Sequence, residues 1–186
     1  MVHEANISIE PFRAEQIEAA YRLRKEVTFE ELVAVGVSPE HAEAHIVSWG
    51  PDEEAIAEIT QSWTYCIERP DRYCMQAVTR DSELVGVFMG SLAHVDRLGA
   101  AKYVDFIQLS SSIRGMGFGS RLMANFMLFG SDDDITLHAY ATNKRVQAFY
   151  NRLGFVDTGQ GQAYEIGDYS LMQNLLLKRI RRDHEI

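Results

Sequence analysis

Residues 110–123 read SSSIRGMGFGSRLM, in which Arg114 is followed by glycines at positions 115, 117 and 119 and then by an apolar, helix-like run. In the first turn of a helix, glycine is less favourable than alanine by up to about 1 kcal/mol. Three glycines at this point indicate that the main chain itself approaches a ligand closely. Taken without its surroundings, the segment is equally compatible with close packing of a helix against a strand.

Two common phosphate-binding motifs do not fit this loop. A dinucleotide fingerprint requires a third glycine at position 120, where the chain has Ser120, and no acidic residue is placed after the next strand to bind a ribose. A P-loop requires a Gly-Lys-Ser/Thr ending, which the segment lacks. A strand that leads into residues 114–119 and then a helix aims several N–H groups and the helix dipole at one point. That arrangement suits a diphosphate.

Strand and helix patterns along the chain predict an α+β fold. Apolar residues recur at helical spacing from position 14 to about 69, with breaks at glycines and prolines. Alternation predicts strands at residues 7–9, 73–79, 84–92, 102–109, 135–140, 155–157 and 163–178. The three strands between 73 and 109 should form an antiparallel meander. We expect a three-layer sandwich in which helices flank one mostly antiparallel, twisted sheet.

Two helices are predicted in the second half of the chain. One runs from the glycine loop to about residue 129. The other, within residues 141–154, has the clearest pattern, because the apolar side chains at 146, 149, 150 and 153 share one face. Thr142 or Asn143 caps its start and Gly154 ends it.

Length, charge and composition narrow the functional class. With 186 residues, the chain is expected to form one domain, 1–186, with its own core. It has no apolar run of membrane-spanning length and no signal-like N-terminus, so a cytoplasmic protein without a membrane partner is expected. A net charge of −9 disfavours nucleic acid and suits a cationic ligand, although solubility alone explains it equally well. Cys66 and Cys74 lack metal-type spacing, and reduced thiols are expected.

Two motifs together resemble the GNAT superfamily of N-acetyltransferases. Residues 114–119, RGMGFG, are similar to the family's acetyl-CoA signature, an arginine or glutamine followed by x-x-G-x-G/A. The preceding FIQLSSSIRG is similar to its V-x-P-x-x-R-G strand, with Leu109 at the valine position and Ser111 at the proline position. Residues 143–155 are similar to N-x-x-A-x-x-F-Y-x-x-x-G-F, with Val146 at the alanine position. The resemblance spans about residues 70–178 and implies a GNAT-like sandwich.

The resemblance implies which residues hold acetyl-CoA, the cosubstrate. Loop N–H groups would hold the pyrophosphate, with an arginine adding charge, and the end of the preceding strand would pair with the pantetheine arm through its main chain. An asparagine of the second motif would hydrogen-bond the same arm, and the Leu109 amide would bind the oxyanion of the tetrahedral intermediate. These residues are Gln108, Leu109, Arg114, Gly115, Met116, Gly117, Phe118, Gly119, Ser120 and Asn143. No metal is implied.

Acetyl transfer needs a base that deprotonates the amine and an acid that protonates the leaving thiolate. By the resemblance, Tyr150 is the acid, and a phenol with a pKa of about 10 is protonated at pH 7. Alternation along strand 102–109 places Asp105 beside Ile107 and Leu109, as the base or as an ammonium anchor. A structural, hydrogen-bonded aspartate is the alternative. His138 on the next strand is a second base candidate.

The acceptor is expected over the helical part, about residues 12–69. Acidic side chains at 26, 30, 31 and 52–54 and the aromatic residues Tyr21, Phe29, Trp49 and Trp63 suit a positively charged amine. Residues 155–172 also resemble the corresponding segment of spermidine/spermine-type acetyltransferases. The leading hypothesis is an N-acetyltransferase for a small cationic amine, with polyamines as the first candidates. A protein N-terminal or lysine acetyltransferase and a noncatalytic acyl-CoA sensor are the alternatives, and both a monomer and a homodimer stay open.

Overall fold

The computed structural model describes residues 6–92, 101–130 and 133–178. The strands of this part are β1 Ile7–Pro11, β2 Tyr73–Arg80, β3 Glu83–Ser91, β4 Lys102–Leu109, β5 Ile135–Tyr140, β6 Val156–Ile166 and β7 Tyr169–Lys178. The helices are α1 Ile17–Ala34, α2 Pro39–Val47, α3 Asp52–Ile67, α4 Phe118–Met127 and α5 Lys144–Arg152. Single 3-10 turns, Ala14–Gln16 and Ser111–Ile113, precede α1 and follow β4.

All seven strands form one sheet in the order β1-β2-β3-β4-β5-β7-β6. Every neighbouring pair is antiparallel except β4 and β5, which are parallel, so the predicted mostly antiparallel sheet and its β2-β3-β4 meander are confirmed. The parallel pair joins only Lys102 to Ile135 and Tyr103 to Thr136. Beyond these residues β4 and β5 separate, which opens the sheet at its centre.

Helices cover both faces of the sheet, as the predicted sandwich requires. On one face, α4 and α5 pack on β4 and β5 around a core that includes Val104, Leu122, Phe126, Leu137 and Tyr150. On the other face, α1 and α3 pack on β2 and β3 around Leu23, Val27, Trp63, Ala77 and Val87. A third cluster joins α1 and α2 to the β6–β7 hairpin through Leu32, Ala42, Ile166 and Leu171. In the described part of the chain, none of the helices combines the length and apolar character needed to cross a bilayer.

The last hairpin is longer than its sequence pattern predicts. The polar, glycine-containing residues 158–162 lie in β6, whereas alternation predicts only 155–157 and 163–178. β6 is an edge strand that pairs only with β7, with a register irregularity between Asp157 and Gly161, and nearly all of its residues are exposed. An exposed edge strand needs no apolar alternation, because its partner strand alone holds it in the sheet.

Candidate active site

The glycine loop has two glycines that need their backbone conformation and one that needs space. Gly115 and Gly117 have φ values of 82° and 86°, in the left-handed region that favours glycine. A Cβ at either position would meet nothing within 4 Å, so the loop faces open space there. At Gly119, a Cβ would lie 3.2 Å from the ring of Phe149 in α5. Gly115 and Gly117 therefore leave open space that a ligand could use, whereas Gly119 is the glycine that close packing requires.

The start of α4 presents unpaired main-chain donors. Gly117 occupies the N-cap position and has no side chain to cap the helix. The first helical hydrogen bond runs from the Arg121 N–H to the Gly117 carbonyl, at 3.1 Å. The amides of residues 118–120 therefore have no partner within the helix, and they point with the positive end of its dipole toward the open side of the loop. This group of donors fits the diphosphate of coenzyme A.

Arg114 links the loop to two other elements. Its Nε donates to the Leu109 carbonyl at 2.8 Å, and its guanidinium forms an ion pair with Glu30 of α1. The arginine therefore connects the end of β4, the loop and the first helix. Its predicted role beside the phosphates stays a prediction.

The end of β4 exposes the main chain of one residue on the open side of the sheet. The Ser110 N–H donates to the Val85 carbonyl at 2.9 Å, so the main-chain polar groups of Ser110 point toward β3. Alternate residues of a strand point the same way, so those of Gln108 also face β3. By the same alternation, the Leu109 N–H faces the side where β5 has diverged. The structure thus places the main-chain N–H of Leu109, rather than that of Gln108, on the side open to a ligand, while the Leu109 carbonyl accepts from Arg114. The Gln108 side chain donates to the Thr28 hydroxyl at 3.3 Å.

Tyr150 belongs to the buried cluster between the sheet and the helices α4 and α5. It is only 7% exposed, and its ring packs edge-on against Phe149 and Phe155. Burial raises the pKa of its phenol, and the nearby Glu31 and Tyr103 raise it further. Glu31 and Tyr103 belong to the opposite side of the sheet from α5, so the Tyr150 hydroxyl lies near the opening between β4 and β5. A phenol with a raised pKa is a neutral donor at physiological pH.

A β-bulge interrupts the alternation of β4 at Asp105. Gly90 of β3 faces Val104, and Met89 faces Phe106, so Asp105 is the extra residue of a β-bulge. Val104, Ile107 and Leu109 pack toward α4 and α5, whereas Phe106 packs toward α3. The bulge interrupts the two-residue period between Val104 and Phe106, so alternation alone does not place Asp105 on the face of Ile107 and Leu109, and that prediction stays a prediction.

Asp105 is exposed, and its charge acts on Arg24 of α1. The Arg24 guanidinium lies 4.4 Å from the centroid of the Phe106 ring and 5.4 Å from that of Trp63. Burial lowers the pKa of Arg24 to about 10, and Asp105 offsets part of this shift. The aspartate thus supports a largely buried arginine, which favours its structural interpretation.

Two aromatic residues expected at the acceptor surface lie in the core instead. Trp63 is 4% exposed and stacks on Phe106, and Tyr21 is completely buried. The expectation that they offer surface to an amine is wrong. Trp63 packs on the sheet and Tyr21 contacts Trp49, which the aromatic content of the sequence could not reveal.

A tyrosine and a histidine meet across the two central strands. The Tyr103 hydroxyl and His138 Nδ1 share a hydrogen bond of 3.0 Å, which joins β4 to β5 where the strands begin to separate. Burial raises the pKa of Tyr103, and the charge of Asp105 adds to the shift. The sequence identifies His138 as a base candidate but not this pair. Only the parallel register of β4 and β5 brings the two residues together.

Glu31 of α1 contacts the start of α5. Its Oε1 accepts a 3.3 Å hydrogen bond from Asn143 Nδ2, while Asn143 Oδ1 accepts from the Val146 N–H at 3.2 Å. Asn143 is therefore the cap of α5, one of the two residues predicted for that role. Burial raises the pKa of Glu31, and Asn143 and Arg114 counteract part of the shift. Sequence reasoning counts Glu31 only as one of several acidic residues on the acceptor side.

Residues 34–155, about two thirds of the chain, match the model of the acetyltransferase (GNAT) family. The chain belongs to this family. The predicted acetyl-CoA-dependent N-acetyltransferase is thereby confirmed at the level of the family. No curated protein matches the chain by sequence.

Solved structures share the GNAT fold over nearly the whole chain. PaiA N-acetyltransferase from Thermoplasma acidophilum, in complex with coenzyme A, is 15% identical with a TM-score of 0.65, over 94% of this chain and 99% of that one. YncA from Salmonella typhimurium, with acetyl-CoA, is 9% identical with a TM-score of 0.64, over 95% of each chain. The ribosomal-protein-S18-alanine N-acetyltransferase from Escherichia coli is 13% identical with a TM-score of 0.62, over 97% of each chain. At these identities the likeness establishes the fold alone.

The two cysteines of this GNAT protein are free, as expected. Cys66 is buried, and burial raises the pKa of the Cys74 thiol to about 11, so neither is a reactive thiolate at neutral pH. Over residues 6–92, 101–130 and 133–178, no three His, Cys, Asp or Glu side chains are grouped closely enough to hold a metal ion.

Proposed function

We propose that this GNAT enzyme transfers the acetyl group of acetyl-CoA to the primary amine of a small cationic acceptor, polyamines first, with Tyr150 as the general acid. The observation that carries the proposal is the position of the Tyr150 hydroxyl. It is buried, it is kept neutral by its raised pKa, and it lies near the opening between β4 and β5. A neutral phenol there can give its proton to a departing thiolate.

The cofactor side of the proposed site uses main-chain groups. The open left-handed glycines, Gly115 and Gly117, and the first-turn amides of α4 support a diphosphate site at residues 115–120. The Leu109 N–H, on the open side of β4, would donate to the oxyanion that forms as the thioester carbonyl is attacked. Acetyl-CoA supplies the activated acyl group.

Of the two base candidates, His138 has the better support. An alkylammonium has a pKa near about 10.4 and must lose a proton before its nitrogen can attack. That proton would pass to the Tyr103 oxygen while the Tyr103 proton moves to His138 Nδ1, along the 3.0 Å hydrogen bond. After attack, the C–S bond breaks. Tyr150 then gives its proton to sulfur and regains one from the nitrogen of the product.

An acetylation assay with two acceptors tests the proposal. Purified protein with acetyl-CoA should release free coenzyme A rapidly with spermidine and slowly with peptides that carry free N-termini or lysines. Tyr150→Phe should lower kcat by about 100-fold or more with spermidine, because proton transfer by a positioned group contributes about that much. Its affinity for coenzyme A, measured by calorimetry, should not change.

Tyr65→Phe is the matched control, since it removes the same hydroxyl from an exposed ring on α3 and should leave kcat unchanged. Faster release of coenzyme A with peptides than with spermidine would indicate that the acceptor is a protein and not a small amine. Binding of coenzyme A without turnover on any amine would contradict catalysis and favour a sensor.

A further inference from the structure

We infer that Glu31 is the residue that binds the ammonium group of the acceptor, in front of Tyr150. This inference rests on the proposed acetyl transfer and deepens it, because it assigns the charge selectivity of the site to one side chain. The acceptor class that it predicts is a primary alkylammonium at the end of a chain.

The three glutamates of the second half of α1 have different surroundings. Glu26 is exposed to solvent. Glu30 forms an ion pair with Arg114. Glu31 is half-buried, and its carboxylate accepts a hydrogen bond from the neutral side-chain amide of Asn143. Among these three, only Glu31 is withdrawn from solvent without a direct ion pair to a side chain of the protein in the described structure.

Glu31 is tied to the helix that carries the general acid. Asn143 accepts from the Val146 N–H at the start of α5 and donates to Glu31, so one side chain links the carboxylate to the helix. Tyr150 lies two turns farther along the same helix. The charge of Glu31 acts on the phenols of both Tyr150 and Tyr140. The carboxylate is therefore held at the start of α5, within electrostatic range of the phenol that is proposed to protonate the leaving thiolate.

The charge of Glu31 is incompletely compensated. A buried carboxylate is stable when it is paired, and one amide donor replaces little of the water that it loses. Arg114 and Arg145 offset part of the cost from a distance, but burial still dominates. An acceptor ammonium beside the carboxylate would complete the pairing. The attraction would also hold the nitrogen near the thioester carbonyl.

A row of aromatic rings leads away from Glu31. Tyr140 of β5 lies 6.1 Å from Tyr164 of β6, Tyr164 lies 5.9 Å from His45 of α2, and His45 lies 6.0 Å from Trp49, centroid to centroid. All four side chains are partly exposed. Such rings hold alkyl chains by apolar contact and further cations by cation–π attraction. The row favours an acceptor whose ammonium is joined to an extended chain.

A matched pair of coenzyme A thioethers tests Glu31 without knowledge of the natural acceptor. S-(2-aminoethyl)-coenzyme A carries an ammonium close to sulfur, where the attacking nitrogen must come, and S-propyl-coenzyme A has the same size without the charge. Calorimetry at constant ionic strength should show that the native protein binds the aminoethyl compound at least about tenfold more tightly. Glu31→Gln should abolish this preference and leave the affinity for coenzyme A unchanged.

Glu31→Gln keeps an oxygen that accepts from Asn143, so the fold and the cap of α5 should be retained. Glu58→Gln removes the same charge from an exposed position on α3 and should keep the preference. Equal affinity of the native protein for the two thioethers would overturn the inference, as would a preference that persists in Glu31→Gln. If coenzyme A itself does not bind, the proposed function is contradicted, and with it the inference that rests on that function.

Discussion

The cofactor side and the acceptor side of this protein are built in different ways. On the cofactor side, a ligand would meet main-chain groups of residues 115–120, which are consecutive in the sequence. On the acceptor side, the candidate groups are side chains from six separate elements, α1, α2, β4, β5, α5 and β6. Two of the contacts among them, Glu31 to Asn143 and His45 to Tyr164, span 112 and 119 residues. A main-chain site depends on a local backbone shape, whereas a side-chain site depends on the whole tertiary structure.

This difference explains how one fold serves many acceptors. The loop and the first turn of α4 would bind the cofactor through main-chain atoms that every residue has, so the side chains of the acceptor side can change without altering them. The two sides are joined by Arg114, which reaches Leu109 and Glu30, and by Asn143, which reaches Glu31. Away from these two links, a substitution on the acceptor side should change catalysis and leave cofactor binding intact.

The largest expected effect separates the two base candidates on the acceptor side. His138→Gln should lower kcat/KM for spermidine by about 100-fold, because it removes the proton acceptor from the Tyr103 hydroxyl. Asp105→Asn should change kcat/KM by no more than about twofold, because Asp105 lies in the bulge beside Arg24. Steady-state kinetics of both variants would measure this.

Neither substitution should alter the affinity for coenzyme A, since both residues lie outside the glycine loop. A larger loss in Asp105→Asn than in His138→Gln would restore the aspartate as the base. It would also show that the bulge directs Asp105 toward the acceptor.

A smaller effect is expected on the cofactor side, at Gly117. Gly117→Ala forces a side chain into the left-handed region, at a cost of about 1 to 2 kcal/mol. Relief of that strain would turn the neighbouring amides away from their common direction. Calorimetry should show that the affinity for coenzyme A falls by about tenfold.

Gly36→Ala is the control for strain alone. Gly36 has a φ of 100° and, like Gly117, would meet nothing within 4 Å, but it lies in the turn after α1. It should lose similar stability and keep its affinity for coenzyme A. Equal losses of affinity in the two variants would mean that the loop amides do not hold the cofactor.

The sequence predicts best the features of the molecule that are built locally, on either side. The cap and the stop of α5 are both local: Asn143 accepts from Val146, and Gly154 has a φ of 85°. The strand before the glycine loop was predicted with the bounds that it has, Lys102–Leu109. Each of these features depends on residues within a few positions of one another, so a single stretch of sequence contains the whole signal.

The acceptor side was harder to predict for physical reasons. The bulge at Asp105 depends on the register between β3 and β4, and it interrupts the alternation from which the face of the aspartate is predicted. The pairing of Tyr103 with His138 depends on the parallel register of β4 and β5. Glu31 differs from Glu30 only because Arg114 pairs with one and Asn143 with the other. None of these contacts has a local pattern.

The smallest expected effect concerns the pH dependence of stability. Burial raises the pKa of Glu31 above its unfolded value of about 4.3, so the folded state keeps this proton to a higher pH than the unfolded state does. The stability that this proton contributes is complete below the unfolded pKa and is lost as the pH rises through the folded pKa. Glu31→Gln does not titrate, so its Tm should rise relative to the native protein between pH 4 and pH 7.

Glu15→Gln provides a comparison of opposite sign. A backbone hydrogen bond and the Arg13 side chain lower the pKa of Glu15 in the folded state, so its carboxylate stabilises the fold above the unfolded pKa. The Tm of Glu15→Gln should therefore fall relative to the native protein as the pH rises from below the folded pKa through the unfolded value of about 4.3, and should then stay level. A fall in the relative Tm of Glu31→Gln would mean that its carboxylate is already well paired, which would remove the electrostatic reason for an ammonium to bind there.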